Sequence, residues 1–558
     1  MLGCTSWVGR CFAIFIMIAV CGGGSLAGAA TCNIISAHHP SDAEDAFLHS
    51  DYERAVVLYQ AQLQQRAGDT ALTAGLAEVL LKQQKATEAE DLVQKALAQN
   101  PQSAVLMVAL GEAQYRAGTP WLALATAEAS IKLDPCNPQA RLLDARLLRL
   151  NSYYASAANE ISTAHSLDPT NPRIRSRWLD TLPMKERITE LEAYLASANG
   201  EDPETLKRLH FYLDYLKQQA IEPHKACRLV ATTDTAAIPF ANLMRDATHI
   251  RAFGLDVKLN DHDARLQIDT GASGLLISRS VADHAGLKQF SRTEVGGVGS
   301  QGNKEAYTTY ADDIKIGSLE FKDCAVEVLN KGNVADSDGL IGMDVFSHFL
   351  VTLDYPMRKL LLAPLPPRPN DTSGLKPTLE TRGNANEDES PGNGAAASAP
   401  SSQPAAHGPY DRFVAPEMKD WTRVYRIGHD LLLPASLNNG PLKLFIVDTG
   451  AFSTTVSPEV AREVTKVHSQ DYISVHGISG KVDKVYTADN ITFKFANISQ
   501  RVEDVVAFST STVSKNLDTE VGGFIGFTAL GQMTISIDYR DGLMKFAYDA
   551  NRGFRIGH

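Results

Sequence analysis

The tripeptide Asp-Thr-Gly occurs twice in this chain, in matching surroundings, and that duplication limits the possible folds more than any other feature. Leu266-Gln267-Ile268-Asp269-Thr270-Gly271-Ala272 is an apolar run that ends in a carboxylate, a hydroxyl and two small residues. Phe445-Ile446-Val447-Asp448-Thr449-Gly450-Ala451 repeats the phrase 179 positions later. At average residue usage about one chain in ten of this length holds a single Asp-Thr-Gly by chance, and a second copy is about another order of magnitude rarer. Each stretch reads as a strand ending in a tight turn with an acid at its tip, so two related units each present one carboxylate.

Two further landmarks follow each copy in the same order. A glycine-rich hairpin comes next: Gly296-Gly297-Val298-Gly299-Ser300-Gln301-Gly302 in the first unit and His476-Gly477-Ile478-Ser479-Gly480 in the second. Then comes an apolar pair before glycine, Leu340-Ile341-Gly342 and Phe524-Ile525-Gly526. A final strand closes each unit, Leu350 to Tyr355 and Thr534 to Tyr539. Before each Asp-Thr-Gly the alternating pattern predicts a hairpin. Asn260-Asp261-His262-Asp263 makes the turn in the first copy, and Asn438-Asn439-Gly440 makes it in the second.

This arrangement resembles the retropepsin-like aspartic proteases, in particular the bacterial type with Asp-Thr-Gly-Ala and a Gly-Leu-Ile-Gly-Met-Asp segment. The resemblance covers about residues 235–365 and 415–550. It implies two small β-barrel-like lobes sharing one active site, with Asp269 and Asp448 at the catalytic positions. Thr270 and Thr449 match the threonines that brace the two loops, and Gly271, Ala272, Gly450 and Ala451 complete them. The glycine-rich hairpins match flaps over the substrate, with Gly297, Val298 and Gly299 on one and Gly477, Ile478 and Gly480 on the other.

The chemistry accounts for these residue types. Hydrolysing an amide without a metal needs a base to activate water and an acid to protonate the carbonyl oxygen. Two carboxylates about 3 Å apart cannot both ionise, so they share one proton and serve both roles. Alanine after each Asp-Thr-Gly lacks a hydroxyl that could lower the carboxylate pKa, which predicts activity at mildly acidic to neutral pH. The second copy departs from the first in two places. Phe452 stands where Ser273 does, and Phe527-Thr528 stands where Met343-Asp344 does.

Upstream, residues 36–171 carry an internal period of 34: Ala55, Ala89, Ala123 and Ala157 share it, as do Ala43, Ala77, Gly111 and Ala145. Pro101, Pro135 and Pro169, each after Asn or Asp, mark helix stops at the same spacing. This looks like four tetratricopeptide repeats, an α-solenoid that fixes a shape without fixing a ligand. The groove of such an array can hold a protein partner or substrate, or the array can act as a spacer. Residues 172–230 read as a helical connector. The expected organisation is a multidomain α + β chain: signal peptide 1–30, repeats 36–171, connector 172–230, lobe 231–365, linker 366–410 and lobe 411–550. The linker's Pro, Ala, Gly and Ser, without apolar periodicity, read as disorder spanning about 35–40 Å.

The 558 residues carry a net charge of −12 without a basic block, which argues against a nucleic-acid surface. Arg10, the apolar run Cys11 to Cys21 and Ala27-Gly28-Ala29 form an export signal too short to span a bilayer. Membrane attachment would require that segment to stay uncleaved or be lipidated. Cys32, Cys136, Cys227 and Cys324 remain after cleavage; one disulfide is possible and its pairing is open. No cofactor or metal is expected, since the 15 histidines include no ligand motif. Gly297-Val298-Gly299-Ser300-Gln301-Gly302 fits a dinucleotide fingerprint, but an extended strand follows it where a helix is needed. The competing reading is a peptide-binding or assembly protein that works through its repeats and keeps degenerate protease-fold lobes.

Overall fold

The structure, a computed structural model, describes residues 32–35 and 40–549 apart from 198–202, 225–226, 231–234, 245, 247–249, 332–333, 335–336, 370–410 and 471. The export signal expected over 1–30 and nearly all of the linker expected over 366–410 lie outside the described residues.

Helices come first, in pairs: α1 (Asp42–Leu48) with α2 (Tyr52–Gln65), α3 (Thr70–Lys82) with α4 (Ala86–Gln99), α5 (Ala104–Arg116) with α6 (Pro120–Leu133), and α7 (Pro138–Leu150) with α8 (Tyr154–Leu167). The period has a capping signature as well as a packing one. Asp69, Ser103, Asn137 and Asn171, 34 residues apart, each accept backbone N–H bonds at the start of a helix. Each such cap is worth about 1 kcal/mol. The recurring small residues sit where helices touch. A methyl group on Gly111 would come within 2.7 Å of Leu143 Cδ2 on the next repeat. The odd-numbered helices pack on one another, α3 on α5 and α5 on α7, and form one face of the array. The helical run continues through α9 (Pro172–Leu179), α10 (Met184–Ser197) and α11 (Pro203–Ile221).

The rest of the described chain is dominated by strands. A nine-stranded sheet takes in residues from Arg228 to Gly342. A ten-stranded sheet takes in residues from Tyr425 to Ile525. Both contain the same local device. In the first, His262–Asp269 hairpins with Ile250–Leu259 and runs parallel to Gly339–Gly342, with Ile341 beside Ile268 and Gly342 beside Asp269. In the second, Leu442–Val447 hairpins with Asp430–Leu437 and runs parallel to Gly523–Ile525, with Ile525 beside Val447. An apolar strand flanked on both sides leaves the sheet at its acid, which fixes where each carboxylate emerges.

A six-stranded sheet joins the two halves. Phe349–Asp354 pairs antiparallel with Met533–Asp538, putting Val351 opposite Ile537 and Leu353 opposite Ile535. All four side chains are fully buried, and burying such a group is worth about 1.5–3 kcal/mol. One apolar core therefore runs through both β halves.

Two disulfides close the fold, where the sequence offered one as possible with its pairing open. Cys32 bonds Cys136, tying the N-terminal end of the described chain to the loop before α7. Cys227 bonds Cys324 inside the first β half. Among the described residues no helix is long and apolar enough to cross a membrane, and no cluster of His, Cys, Asp and Glu could hold a metal ion.

Candidate active site

The two Asp-Thr-Gly turns meet back to back. The Thr270 N–H donates to Thr449 Oγ1 and the Thr449 N–H donates to Thr270 Oγ1, each at 3.0 Å. Each hydroxyl donates onward across the junction, Thr270 to the Val447 carbonyl at 2.7 Å and Thr449 to the Ile268 carbonyl at 3.4 Å. Both threonines are buried, so the crossed bonds are shielded from water and hold the two strand ends in one register. Residues far apart in sequence thereby become neighbours.

The carboxyls of Asp269 and Asp448 face each other, each lying against the glycine of the opposite turn, and are close enough to influence one another's proton affinity. The turns leave no room for anything larger than glycine. A methyl group on Gly271 would come within 2.8 Å of Asp448 Cγ, and one on Gly450 would collide with the Asp269 carboxyl. The two acids are not held alike. Asp269 Oδ1 accepts one amide bond, from Gly271 at 2.8 Å. Asp448 Oδ1 accepts two, from Gly450 at 2.9 Å and Ala451 at 2.8 Å.

Burial, followed by the Asp448 charge, holds Asp269 well above the usual carboxylate range. Burial also raises Asp448, while the Ala451 amide, the Asp269 carboxyl and the Gly450 amide pull it back down. Ala272 and Ala451 both close the Asp-Thr-Gly-Ala turns, and Ala451 contributes a backbone donor where a side-chain hydroxyl is lacking.

Beneath each turn the Ile-Gly segment supplies a brace, by different chemistry in the two halves. In the first, Asp344 accepts from the Gly274 N–H at 3.0 Å and from the Ser273 hydroxyl at 3.4 Å. In the second, where Thr528 replaces that acid, Thr454 Oγ1 accepts from the Gly526 N–H at 3.2 Å. The Phe527 and Thr528 amides donate to the Ala451 and Phe452 carbonyls at 2.7 and 2.9 Å. The departure noted in the sequence thus changes the partners of the turn and leaves its hold intact. Phe452 is half-exposed and lines the cavity over the acids.

The two glycine-rich hairpins meet above this point. Ser479 at the tip of one joins three residues of the other: its N–H donates to the Val298 carbonyl at 3.1 Å, its carbonyl accepts from the Gln301 N–H at 2.8 Å, and its hydroxyl accepts from the Gly297 N–H at 3.1 Å. The apolar tips cross over. Val298 packs against the second half, with Leu432 and Phe524, while Ile478 packs against the first, with Leu276 and Leu340. Side chains at Gly299 and Gly477 would run into the opposite tip: Gly299, at φ +137°, faces the Ser479 backbone, and a methyl on Gly477 would lie 2.9 Å from Val298 Cβ. Gly480 adopts φ +87° at the turn.

A cavity of about 1520 Å³ is lined by the acids, by the hairpin tips and by Phe211 and Tyr215 of α11. It also contains a group that sequence reasoning missed. Asp430 is the first residue of the strand leading to the second hairpin, although the sequence pattern places that start at Leu432. It lines the cavity and is 8 % exposed. The sequence carries no signal for it, because a lone acid at a strand end looks like a solvated turn residue.

Residues 255–345 match the aspartyl protease family model, and residues 46–110 match the tetratricopeptide repeat model. The chain therefore contains an aspartyl protease-like domain and tetratricopeptide repeats. The second Asp-Thr-Gly lies outside the first match. Among solved structures, a thermophilic TPR protein from Thermus thermophilus is similar at 20% identity, over 31% of this chain and 95% of that one, with a TM-score of 0.26. No curated protein matches.

Proposed function

We propose that this chain is an exported aspartic endopeptidase whose two β halves are retropepsin-like lobes sharing one active site. The observation that carries the reading is the crossed pair of threonine bonds that brings the Asp269 and Asp448 turns face to face. A binding module gains nothing from two buried acids in contact, whereas peptide hydrolysis needs both. Asp448, which accepts two amide bonds, is the anion, and Asp269, which accepts one, holds the shared proton. Asp448 takes a proton from the attacking water while Asp269 protonates the carbonyl oxygen of the peptide. The hairpins over residues 296–302 and 476–480 are the flaps, which must part to admit substrate and close to exclude water.

Two disulfides favour an oxidising compartment, in line with export by the N-terminal segment. The repeats recruit the protein substrate or a partner through the α1–α4 end of the array, because the α5 and α7 end is engaged with the second lobe.

Digestion of a peptide library tests the reading. Asp269→Asn and Asp448→Asn should each lower kcat/KM by at least about 10³-fold, since groups acting as a unit fail together. Retained cleavage in either variant would defeat the shared dyad. The pH–rate profile should peak at mildly acidic to neutral pH, because burial raises both acids and moves the loss of the shared proton upward. A maximum near about pH 2 would contradict it.

A further inference from the structure

We infer that Asp430 makes the pocket beside Asp448 a site for a basic side chain, so that the chain takes peptides carrying lysine or arginine next to the bond presented to the dyad. This rests on the endopeptidase reading for the position of the bond, and on geometry of its own for the charge.

The ladder sets the placement. Leu432 lies opposite Ile446, and continuing that register by two residues puts Asp430 across from Asp448. Side chains two apart share a face. Leu432 and Ile446 belong to the second apolar cluster, of which Ile446 and Phe524 line the cavity, whereas Leu431 and Leu433 belong to the main core. Asp430 and Asp448 thus project from one face into one cavity, which both line. The electrostatics agree, for the Asp430 charge is felt at both Asp269 and Asp448.

Nothing within the described chain neutralises this group well. Among the described residues its one ion-pair neighbour is His429, with Nε2 3.6 Å away, and that ring is charged only when protonated. No hydrogen bond to its carboxylate is seen among those residues, although the side chain is only 12 % exposed. The nearby guanidinium of Arg426 is turned to the Gly428 and Tyr539 carbonyls and the Tyr154 hydroxyl. A buried acid without a strong partner costs free energy, and an occupant that brings a positive charge offsets that cost.

The first half has no acid at the matching position of its ladder. The same continuation there, from Gly254 opposite Gln267, puts Ala252 across from Asp269. A structural requirement of the hairpin would apply to both halves; an acid at this position in one alone makes this part of the cleft asymmetric. Specificity of this kind is strong where a polar site is left unpaired by the wrong ligand.

The test uses the full chain and a combinatorial decapeptide pool, with lysine and its uncharged isostere norleucine alternating at each position. Wild type should cleave lysine peptides in preference to norleucine peptides at one position flanking the bond. Asp430→Asn should reduce that ratio by about tenfold or more. Pull-down of the same pool on Asp269→Asn reads binding without hydrolysis. Lysine peptides should be retained over norleucine peptides, and the Asp269→Asn/Asp430→Asn double variant should lose the difference. Cleavage without a lysine preference, or a preference unchanged by Asp430→Asn, overturns the basic pocket and leaves the hydrolase reading standing. Selective retention without cleavage by wild type overturns the hydrolase reading and supports the pocket. A pool neither cut nor retained overturns both.

Discussion

At the scale of single residues, burial does most of the chemistry in this protein. The same desolvation that raises Asp269 and Asp448 acts on acids with no part in the site. Asp144 on α7 is buried near Glu160, and burial, followed by that neighbouring charge, pushes it up to about 8. The sign of its effect on stability follows. Below about pH 4 folded and unfolded chains both hold the proton, and the full stability is present. As pH rises toward 8 the unfolded chain loses its proton first, so stability falls by on the order of 1 kcal/mol per pH unit across that window. Asp144→Asn removes the slope. Urea midpoints at acidic and alkaline pH should show the variant gaining on wild type as pH rises, and parallel midpoints would refute the assignment.

At the scale of elements, what distinguishes the site is exchange between two similar pieces. Each hairpin tip packs on the half that does not own it, through Val298 on one side and Ile478 on the other. Ile478→Ala removes an apolar anchor while leaving both carboxylates and both threonines in place. The closed state loses stability, so KM should rise by about tenfold with a smaller change in kcat. A fall in kcat alone, read from initial rates over a range of peptide concentrations, would mean that the tip acts on the dyad itself.

The sequence showed that these hairpins exist and where their glycines lie, since glycine clusters are a local signal. It could not show that Gly299 and Gly477 are small in order to pass the opposite tip, because that contact joins residues far apart in the chain. Asp430 was illegible for the same reason: its neighbour across the ladder is known only once the register is set.

At the scale of the whole molecule, the helical array is part of the β structure's support. Asp518, just after a short helix in the second half, is held by Arg116 and Arg146 from α5 and α7. Thr519 donates to the Tyr115 carbonyl at 2.6 Å and the Glu520 N–H to the Arg116 carbonyl at 2.9 Å. Further along, Asp411 accepts from the Ser156 hydroxyl and amide at 2.6 and 3.1 Å. Part of the face that the sequence offered to a partner is thus occupied by this chain. Asp518→Ala removes an acceptor shared by two partly buried guanidiniums, of which Arg146 keeps Glu112, a loss of about 1 kcal/mol at that contact. Hydrogen exchange should then speed up in α5, α7 and residues 511–521 together, whereas a change confined to residues 511–521 would show that the array is only tethered.

What the sequence settled by itself is everything with a local or periodic cause. The period of 34, the strand-then-turn at each Asp-Thr-Gly and the glycine hairpins follow from residue size and backbone freedom, which act over a few positions. What only the tertiary structure decided is partnership: which acid faces which, which cysteines bond, what fills the face of α5 and α7, and that Asp430 lines the same cavity as the pair. These depend on contacts between residues tens to hundreds of positions apart, and a linear pattern holds no record of them until the register of the strands brings them together.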